Sequence, residues 1–302
     1  MDNDLDTLAT ALYASTDDFL KGHPELAPWR PAVGLQPRIT DAELVTVAVM
    51  QALLGFTSER RWLRHARVDL IEWFPHLPEQ SGYNKRLRHL GETFQAVIAH
   101  LGQDTDLWAD GLWIADFTPV ECGRSRDTAH RSDLVGFAEY GYCASHSRWF
   151  WGLRLHLLCT PAGMPVSFAL TGATADERTV LLGMLESMPA RVGAGQVILA
   201  DKNYFGKLFE RDLAEGGIVL VRPTRQGERR RPGREFLKPL RQVIESINDT
   251  LKGQLDLEAH GGRTIAGVTV RVLQRILAMA AAIWHNQNTG QQPLRSLTAY
   301  DH

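Results

Sequence analysis

The sequence predicts an α/β protein: a mixed sheet with helices on both faces, preceded by an all-helical region. Three features carry this. Residues 1–105 show apolar spacing of helical period with no strand-like run. From Leu107 the texture changes, and Ser147 to Cys159 alternates with period two through Trp149, Trp151, Leu153, Leu155 and Leu157. Beyond Asp176, short apolar runs alternate with helical patterns. Antiparallel strands followed by strand–helix units give a mixed sheet covered on both sides.

Each element follows from local chemistry. Leu5, Leu8, Leu12 and Tyr13 fit a first amphipathic helix, and Pro24, Pro28, Pro31 and Pro37 then impose an extended linker. Thr40 with Glu43 three residues on is a capping-box signature for the next helix. Further helices are predicted over Glu59 to Trp73 and Tyr83 to Leu101, as a helix-turn-helix DNA-binding region or, equally, a plain bundle. Trp108 to Val120 reads as a strand. A turn at Pro161-Ala162-Gly163 joins Ser147–Cys159 to Pro165–Leu170 as an antiparallel hairpin. A helix over Asp176–Met188, a buried strand over Gln196–Asp201, a helix over Lys207–Glu215 closed by Gly216-Gly217, and a strand over Ile218–Val221 come after it. A long helix carrying Glu245 is next, and last an apolar helix from Ile265 to Trp284, interrupted by Arg271, Gln274 and Arg275.

Composition bounds the class. The chain has 302 residues, 44% hydrophobic and 23% charged, enough for a sizeable core. No signal peptide is read at the N-terminus and no run suits a membrane span, so a cytoplasmic protein with no membrane partner is expected. The three cysteines, Cys122, Cys143 and Cys159, form no CxxC pair and read as free thiols; a zinc site with His130 or His146 is only weakly signalled. The net charge of −2 does not advertise a nucleic-acid binder. Its distribution does: Arg222, Arg225, Arg229, Arg230, Arg231, Arg234, Lys238 and Arg241 stand against Glu228 and Glu235 alone, and Arg60, Arg61, Arg64 and Arg67 recur at helical spacing ahead of Lys85, Arg86 and Arg88. Such runs are more often solvated faces than binding sites.

Two apolar runs each break on an aspartate, Leu112-Trp113-Ile114-Ala115-Asp116 and Val197-Ile198-Leu199-Ala200-Asp201. If these strands are parallel neighbours, both carboxylates emerge at one carboxyl edge, where open α/β sheets place ligands. On the later helix, at about 100° per residue, Glu245 lies about 40° and Lys252 about 20° from Arg241, with Leu240, Ile244, Ile247 and Leu251 as an adjacent docking stripe. Carboxylates gathered this way suit hard divalent cations, which keep positions open for water and phosphate; the chemistry indicated is two-metal phosphoryl transfer on nucleic acid. Taken singly, each acid has a bland explanation: a strand-end aspartate is usually a turn former or cap, and Glu245 can be a surface residue paired along its helix.

From Leu112 to Lys252 the chain resembles the DDE transposases of bacterial insertion sequences, whose catalytic core is ribonuclease-H-like. Asp116-Phe117-Thr118 resembles the first Asp motif, Ala200-Asp201-Lys202-Asn203-Tyr204 the second, and Arg241, Glu245 and Lys252 the Tyr-x₂-Arg-x₃-Glu-x₆-Lys signature of the third acid. Thr171 to Arg178 resembles the segment before the first core helix. Lys238 stands where the signature tyrosine would be, and Asn203 replaces the usual glycine.

The resemblance implies that Asp116, Asp201 and Glu245 hold two Mg²⁺ ions (or Mn²⁺), that element-end DNA is hydrolysed, and that the freed 3′-hydroxyl is joined to target DNA. Lys202, Arg225, Arg229, Arg230, Arg231, Arg234, Lys238, Arg241 and Lys252 are then expected on double-stranded DNA phosphates, and Arg60, Arg61, Arg64, Lys85, Arg86 and Arg88 at the element ends. It implies a homodimer on DNA. The expected division is residues 1–105 for DNA-end binding, 106–260 for catalysis, and 261–302 as a helix and tail packed on the core. The stripe Val268, Val272, Ile276, Ala280 and Trp284 is expected to cover the catalytic sheet rather than to dimerise.

Three other classes remain open on the sequence. They are a metal-dependent nuclease or resolvase on the same fold, a non-catalytic DNA-binding derivative, and a haloacid-dehalogenase-like phosphatase. The last needs a second acid where Thr118 stands.

Overall fold

A computed structural model of the chain describes residues 3–30, 33–34, 36–123, 126–143, 147–188, 192–231, 233–292 and 297; for residues 3, 4, 126, 234–236, 238, 240 and 241 it describes the backbone alone. The chain divides into two compact units, Met1–Thr105 with Thr250–His302, and Asp106–Asp249.

The first unit is helical, with α1 (Asn3–Gly22), α2 (Asp41–Leu53), α3 (Glu59–Asp69), α4 (Gln80–His89), α5 (Gly91–Gln103) and, from the far end of the sequence, α10 (Ile265–Asn288). Thr40 and Glu43 form the expected capping box at α2: the Thr40 hydroxyl accepts from Glu43 N at 3.1 Å, and Thr40 N donates to Glu43 at 2.6 Å. The helix expected over 83–101 is two, because the chain breaks at Leu90 and Gly91.

α10 forms the centre of the helical unit, packed against α1, α2, α4 and α5 and buried continuously from Val270 to Asn286. A helix buried all round is a core helix, which also removes its stripe as a dimer surface. It is long and apolar enough to cross a membrane, yet its burial is within the protein. Its buried polar residues bond within the unit, although Gln274 Oε1 has no hydrogen-bond partner. Arg271 pairs with Glu59, which also accepts from Asn84 at 2.9 Å; Gln274 donates to the Ala48 carbonyl at 2.7 Å; Arg275 donates to the carbonyls of Asp256 and Arg271.

The second unit is a six-stranded mixed sheet: β1 (Leu112–Gly123), β2 (Glu139–Cys143), β3 (Arg148–Cys159), β4 (Pro165–Gly172), β5 (Val197–Leu199) and β6 (Val219–Val221). Helices α6 (Arg126–Arg131), α7 (Glu177–Glu186), α8 (Lys207–Glu215) and α9 (Arg234–Asp249) complete it. β1 is central, antiparallel to β3 and parallel to β5, which is parallel to β6. β2 and β4 share the outer edge of β3, end to end: β2 pairs with residues 148–152 and β4 with 153–159. Omitting β2, the order β4-β3-β1-β5-β6 is ribonuclease-H-like.

Trp113, Ala115, Ile198 and Ala200 point to the face covered by α7 and α8, where Leu181, Leu185, Phe209, Leu213 and Tyr204 complete a core. β1 and β3 approach so closely that a Cβ on Gly152 would sit 2.2 Å from the Val120 carbonyl oxygen. Neither β2 nor α6 was expected, and β5 is shorter than the run that announces it.

Candidate active site

The parallel ladder between β1 and β5 pairs Leu112, Trp113 and Ile114 with Val197, Ile198 and Leu199. Two residues past this ladder each run reaches its aspartate. Asp116 does not end its strand, as the sequence suggested, but is the fifth residue of β1, whereas Asp201 lies two residues beyond the end of β5; alternation along β1 turns Asp116 to the face opposite Trp113.

Local structure fixes each acid. Asp116 lies within the β1–β3 ladder opposite Leu157, and its Oδ2 accepts a 3.0 Å hydrogen bond from Asn248 Nδ2 on α9. Asp201 caps its own turn: Asn203 donates through its backbone N at 2.7 Å and its side-chain amide at 3.1 Å. The asparagine in place of glycine thus holds the second aspartate with a donor glycine lacks. Tyr204 is buried beneath, its hydroxyl pushed far up by burial and then by Asp116, Glu177 and Asp201. The loop onward is pinned where Arg178 donates to the Phe205 carbonyl at 3.0 Å and Arg225 stacks on the Phe205 ring at 3.4 Å.

Glu177, a carboxylate that sequence reasoning assigned no role, feels the charge of both aspartates. Asp176 caps α7 by accepting from the backbone N of Arg178 and Thr179, and Glu177 is the first helical residue. Upstream, the entry to α7 is tied to β2 through Glu139, which accepts from Thr174 N at 2.9 Å and from its hydroxyl at 2.5 Å. Glu177 Oε1 pairs with Arg154 at 3.2 Å, and Arg154 also stacks over Phe117 at 4.2 Å. Glu177 Oε2 is buried without a hydrogen-bond partner. Burial, then the charge of Asp201, push the Glu177 carboxyl up to about 7; Arg154 opposes the rise, and Asp116 and Asp176 add to it. The only signal was its place at the start of a helix in the segment 171–178.

This shift has a measurable sign. A carboxyl raised on folding contributes stability that is present below its unfolded value of 4.5 and is lost as pH climbs through about 7. In the absence of divalent cations, the melting temperature of Glu177→Gln should therefore gain on that of the parent between about pH 5 and pH 8. A gap that does not widen with pH would show that the charge of Glu177 is compensated.

Glu245 is differently placed. It is exposed on α9, whose Ile244 and Ile247 are buried, and among the described residues no three histidine, cysteine, aspartate or glutamate side chains gather closely enough to hold one metal ion. The described cysteines form no disulfide. Asn248 touches Asp116, and Asn248 and Glu245 share a helix side as i,i+3 neighbours. The single regular helix expected to carry Arg241, Glu245 and Lys252 also does not run through: α9 ends at Asp249 and a π-helical turn spans Thr250–Gln254. A wider turn changes the rotation per residue, so the 100° arithmetic does not reach Lys252, which belongs to the helical unit.

The expected phosphate-binding residues divide. Arg231 is half-buried and paired with Glu210 at 2.5 Å and Glu228 at 3.0 Å, a network shared with the buried Arg222. Arg229, Arg230 and Lys202 are exposed. The side chains of Arg234, Lys238 and Arg241 lie outside those described. In the helical unit Arg60, Arg61, Arg64, Lys85 and Arg88 are exposed, whereas Arg86 is tied to Asp41 at 2.8 Å and to the Ile39 carbonyl at 2.9 Å, a structural bond within the unit.

The donor set fits hard cations. Asp116 and Asp201 offer oxygen ligands from adjacent strands, and the orphaned Glu177 oxygen marks negative charge crowded beyond what Arg154 offsets.

The family model described as "Transposase DDE domain" matches residues 108–281, more than half of the chain. No curated protein matches. Among solved structures, the chain is similar to one described as a piggyBac transposase synaptic complex with hairpin DNA, at 9% identity and a TM-score of 0.48, covering 97% of this chain and 76% of that one. The chain belongs to the family of transposases with a DDE domain.

Proposed function

We propose that this chain cuts DNA at the ends of a mobile element and joins the freed 3′-hydroxyl to target DNA, as in bacterial insertion sequences, with Asp116, Asp201 and Glu245 as the acids that hold two Mg²⁺ ions, or Mn²⁺ in their place. The observation that carries this reading is the parallel β1–β5 ladder, past which Asp116 and Asp201 each lie two residues on, in a DDE-family chain. When bound, divalent cations would polarise the scissile phosphate and favour a deprotonated attacking oxygen.

The protein's own contribution is placement. Asp116 on the central strand and Asp201 on the turn after β5 would fix ligand positions, α9 would supply Glu245, and Asn203 and Asn248 orient the two aspartates. Arg154 offsets part of the acidic charge. No side chain needs to act as nucleophile, and the Thr118 hydroxyl, buried and without a partner, is not exposed for attack.

DNA contact follows from the same reading. Arg229 and Arg230 would meet backbone phosphates beside Lys202, while Arg241, Lys252, Lys238 and Arg234 remain candidates from the sequence. Arg60, Arg61, Arg64, Lys85 and Arg88 would face the element ends. Cutting two ends and joining them to one target calls for two active sites, hence a homodimer on DNA, acting in the bacterial cytoplasm. Replacing Arg229 and Arg230 by glutamine should weaken binding similarly across DNA sequences and reduce the slope of log affinity against log salt by up to about 1.8. An unchanged slope would leave both as solvated surface.

The reading is tested by incubating the purified chain with duplexes bearing the terminal sequences that flank its gene. Mg²⁺-dependent nicking at the element end is expected, abolished by chelation. Hydrolysis of a small phosphomonoester with no action on duplex DNA would overturn it.

A further inference from the structure

We propose that Asn248 is a positioning residue of the metal site, turning the Asp116 carboxylate toward the cation by donating its amide N–H to Oδ2. The inference rests on the metal-site reading above and extends it to a residue outside the acidic triad.

The geometry is specific. Asn248 lies 132 positions from Asp116, and the 3.0 Å bond between their side chains ties α9 to the central strand. Its helix neighbours Ile244 and Ile247 are buried, so the Asn248 side chain starts from a packed element and has only two side-chain torsions to fix. Asp116 lies inside the β1–β3 ladder. A bond between two such anchored groups sets the carboxylate's rotation.

The chemistry of the donor matters as much. A lysine or arginine at this position would orient Asp116 but also neutralise it, competing with a cation. An amide orients the ligand and leaves its charge intact. Partners of this kind around metal-binding carboxylates tune affinity about 10–100-fold. Asn248 is also the i,i+3 neighbour of Glu245 on the same side of α9.

The test is Mn²⁺ binding by the full chain, followed by the electron paramagnetic resonance signal of free Mn²⁺, alongside DNA binding and Mn²⁺-dependent cleavage. Asn248→Ala should weaken Mn²⁺ binding about 10–100-fold, leave DNA affinity in place, and shift half-maximal cleavage to correspondingly higher Mn²⁺. Asn248→Leu, which keeps the volume and removes the donor, should behave the same way, and Asn248→Ser should recover part of the affinity. Asp116→Ala serves as the reference. If Asp116→Ala loses Mn²⁺ while both Asn248→Ala and Asn248→Leu bind it like the parent, the role of Asn248 is overturned and the metal site stands. If Asp116→Ala also binds like the parent, the metal-site reading falls and the role of Asn248 with it.

Discussion

Asp116→Ala and Asp201→Ala should each reduce Mg²⁺-dependent DNA cleavage by about 1,000-fold or more while leaving DNA binding in place. The size reflects the interaction removed: metal stabilisation of a transferring phosphoryl group is worth several kcal/mol, and every 1.36 kcal/mol is about tenfold in rate. The effects are expected to be equal in kind, because the proposal gives both aspartates the same role as metal ligands. Glu245→Ala should abolish cleavage too, and it is the sharper test, because Glu245 is exposed and stands apart from a three-ligand cluster. Gel-shift and cleavage assays on the same preparations separate the two readouts. Undiminished cleavage in any variant would remove that residue from the site.

The second large effect lies in the helical unit. Glu59 is the buried partner of Arg271, and Arg275 lies one turn along α10 with its charged form disfavoured by burial and then by Arg271, its guanidinium lowered to about 10. Glu59→Ala would leave a buried arginine beside another with no carboxylate, at an expected cost of about 3–5 kcal/mol in chemical denaturation. The paired replacement Glu59→Leu with Arg271→Met should recover most of that loss, because apolar substitution of a whole buried pair is near neutral or stabilising. If the single substitution costs less than about 1 kcal/mol, the range for exposed pairs, the pair is solvated in solution.

The sheet was legible where side chains alternate. Ser147 to Cys159 announced β3 within a residue, and Lys207–Glu215 matches α8 at both ends. The two aspartates were legible because a parallel pair brings equal positions of two strands together. β2 was not, since Tyr140 and Tyr142 are exposed and the inward position between them is Gly141, so the strand carries no apolar alternation. A Cβ on Gly141 would meet Phe150 and Ala173 at 2.8 Å, so the residue that hides the strand is also the one that lets it pack.

The sequence conceals partnership. The apolar period of α10 signals a helix with something to bury but not which unit buries it, and its two arginines read as interruptions until Glu59 and the carbonyls of Asp256 and Arg271 are placed beside them. Arg231 is likewise one more charge in a basic run until Glu210, 21 residues earlier, is found across from it. Glu177 and Asn248 lie within one turn of sequence features already singled out, yet only the fold puts them on the aspartates. The helical arithmetic that joined Lys252 to Glu245 failed because a π-helical turn changes the period at Thr250.

Strand transfer at a site built from Asp116 and Asp201 requires a DNA 3′-hydroxyl as the attacking group. The direct measurement incubates the chain with Mg²⁺, a plasmid target and a labelled duplex already ending in the element's 3′ terminus. Label should appear covalently joined to plasmid DNA. The joined product should vanish when the terminal nucleotide lacks its 3′-hydroxyl, and again with Asp201→Ala. Joining that persists from a 3′-deoxy terminus, or label trapped on the protein itself, would contradict this chemistry.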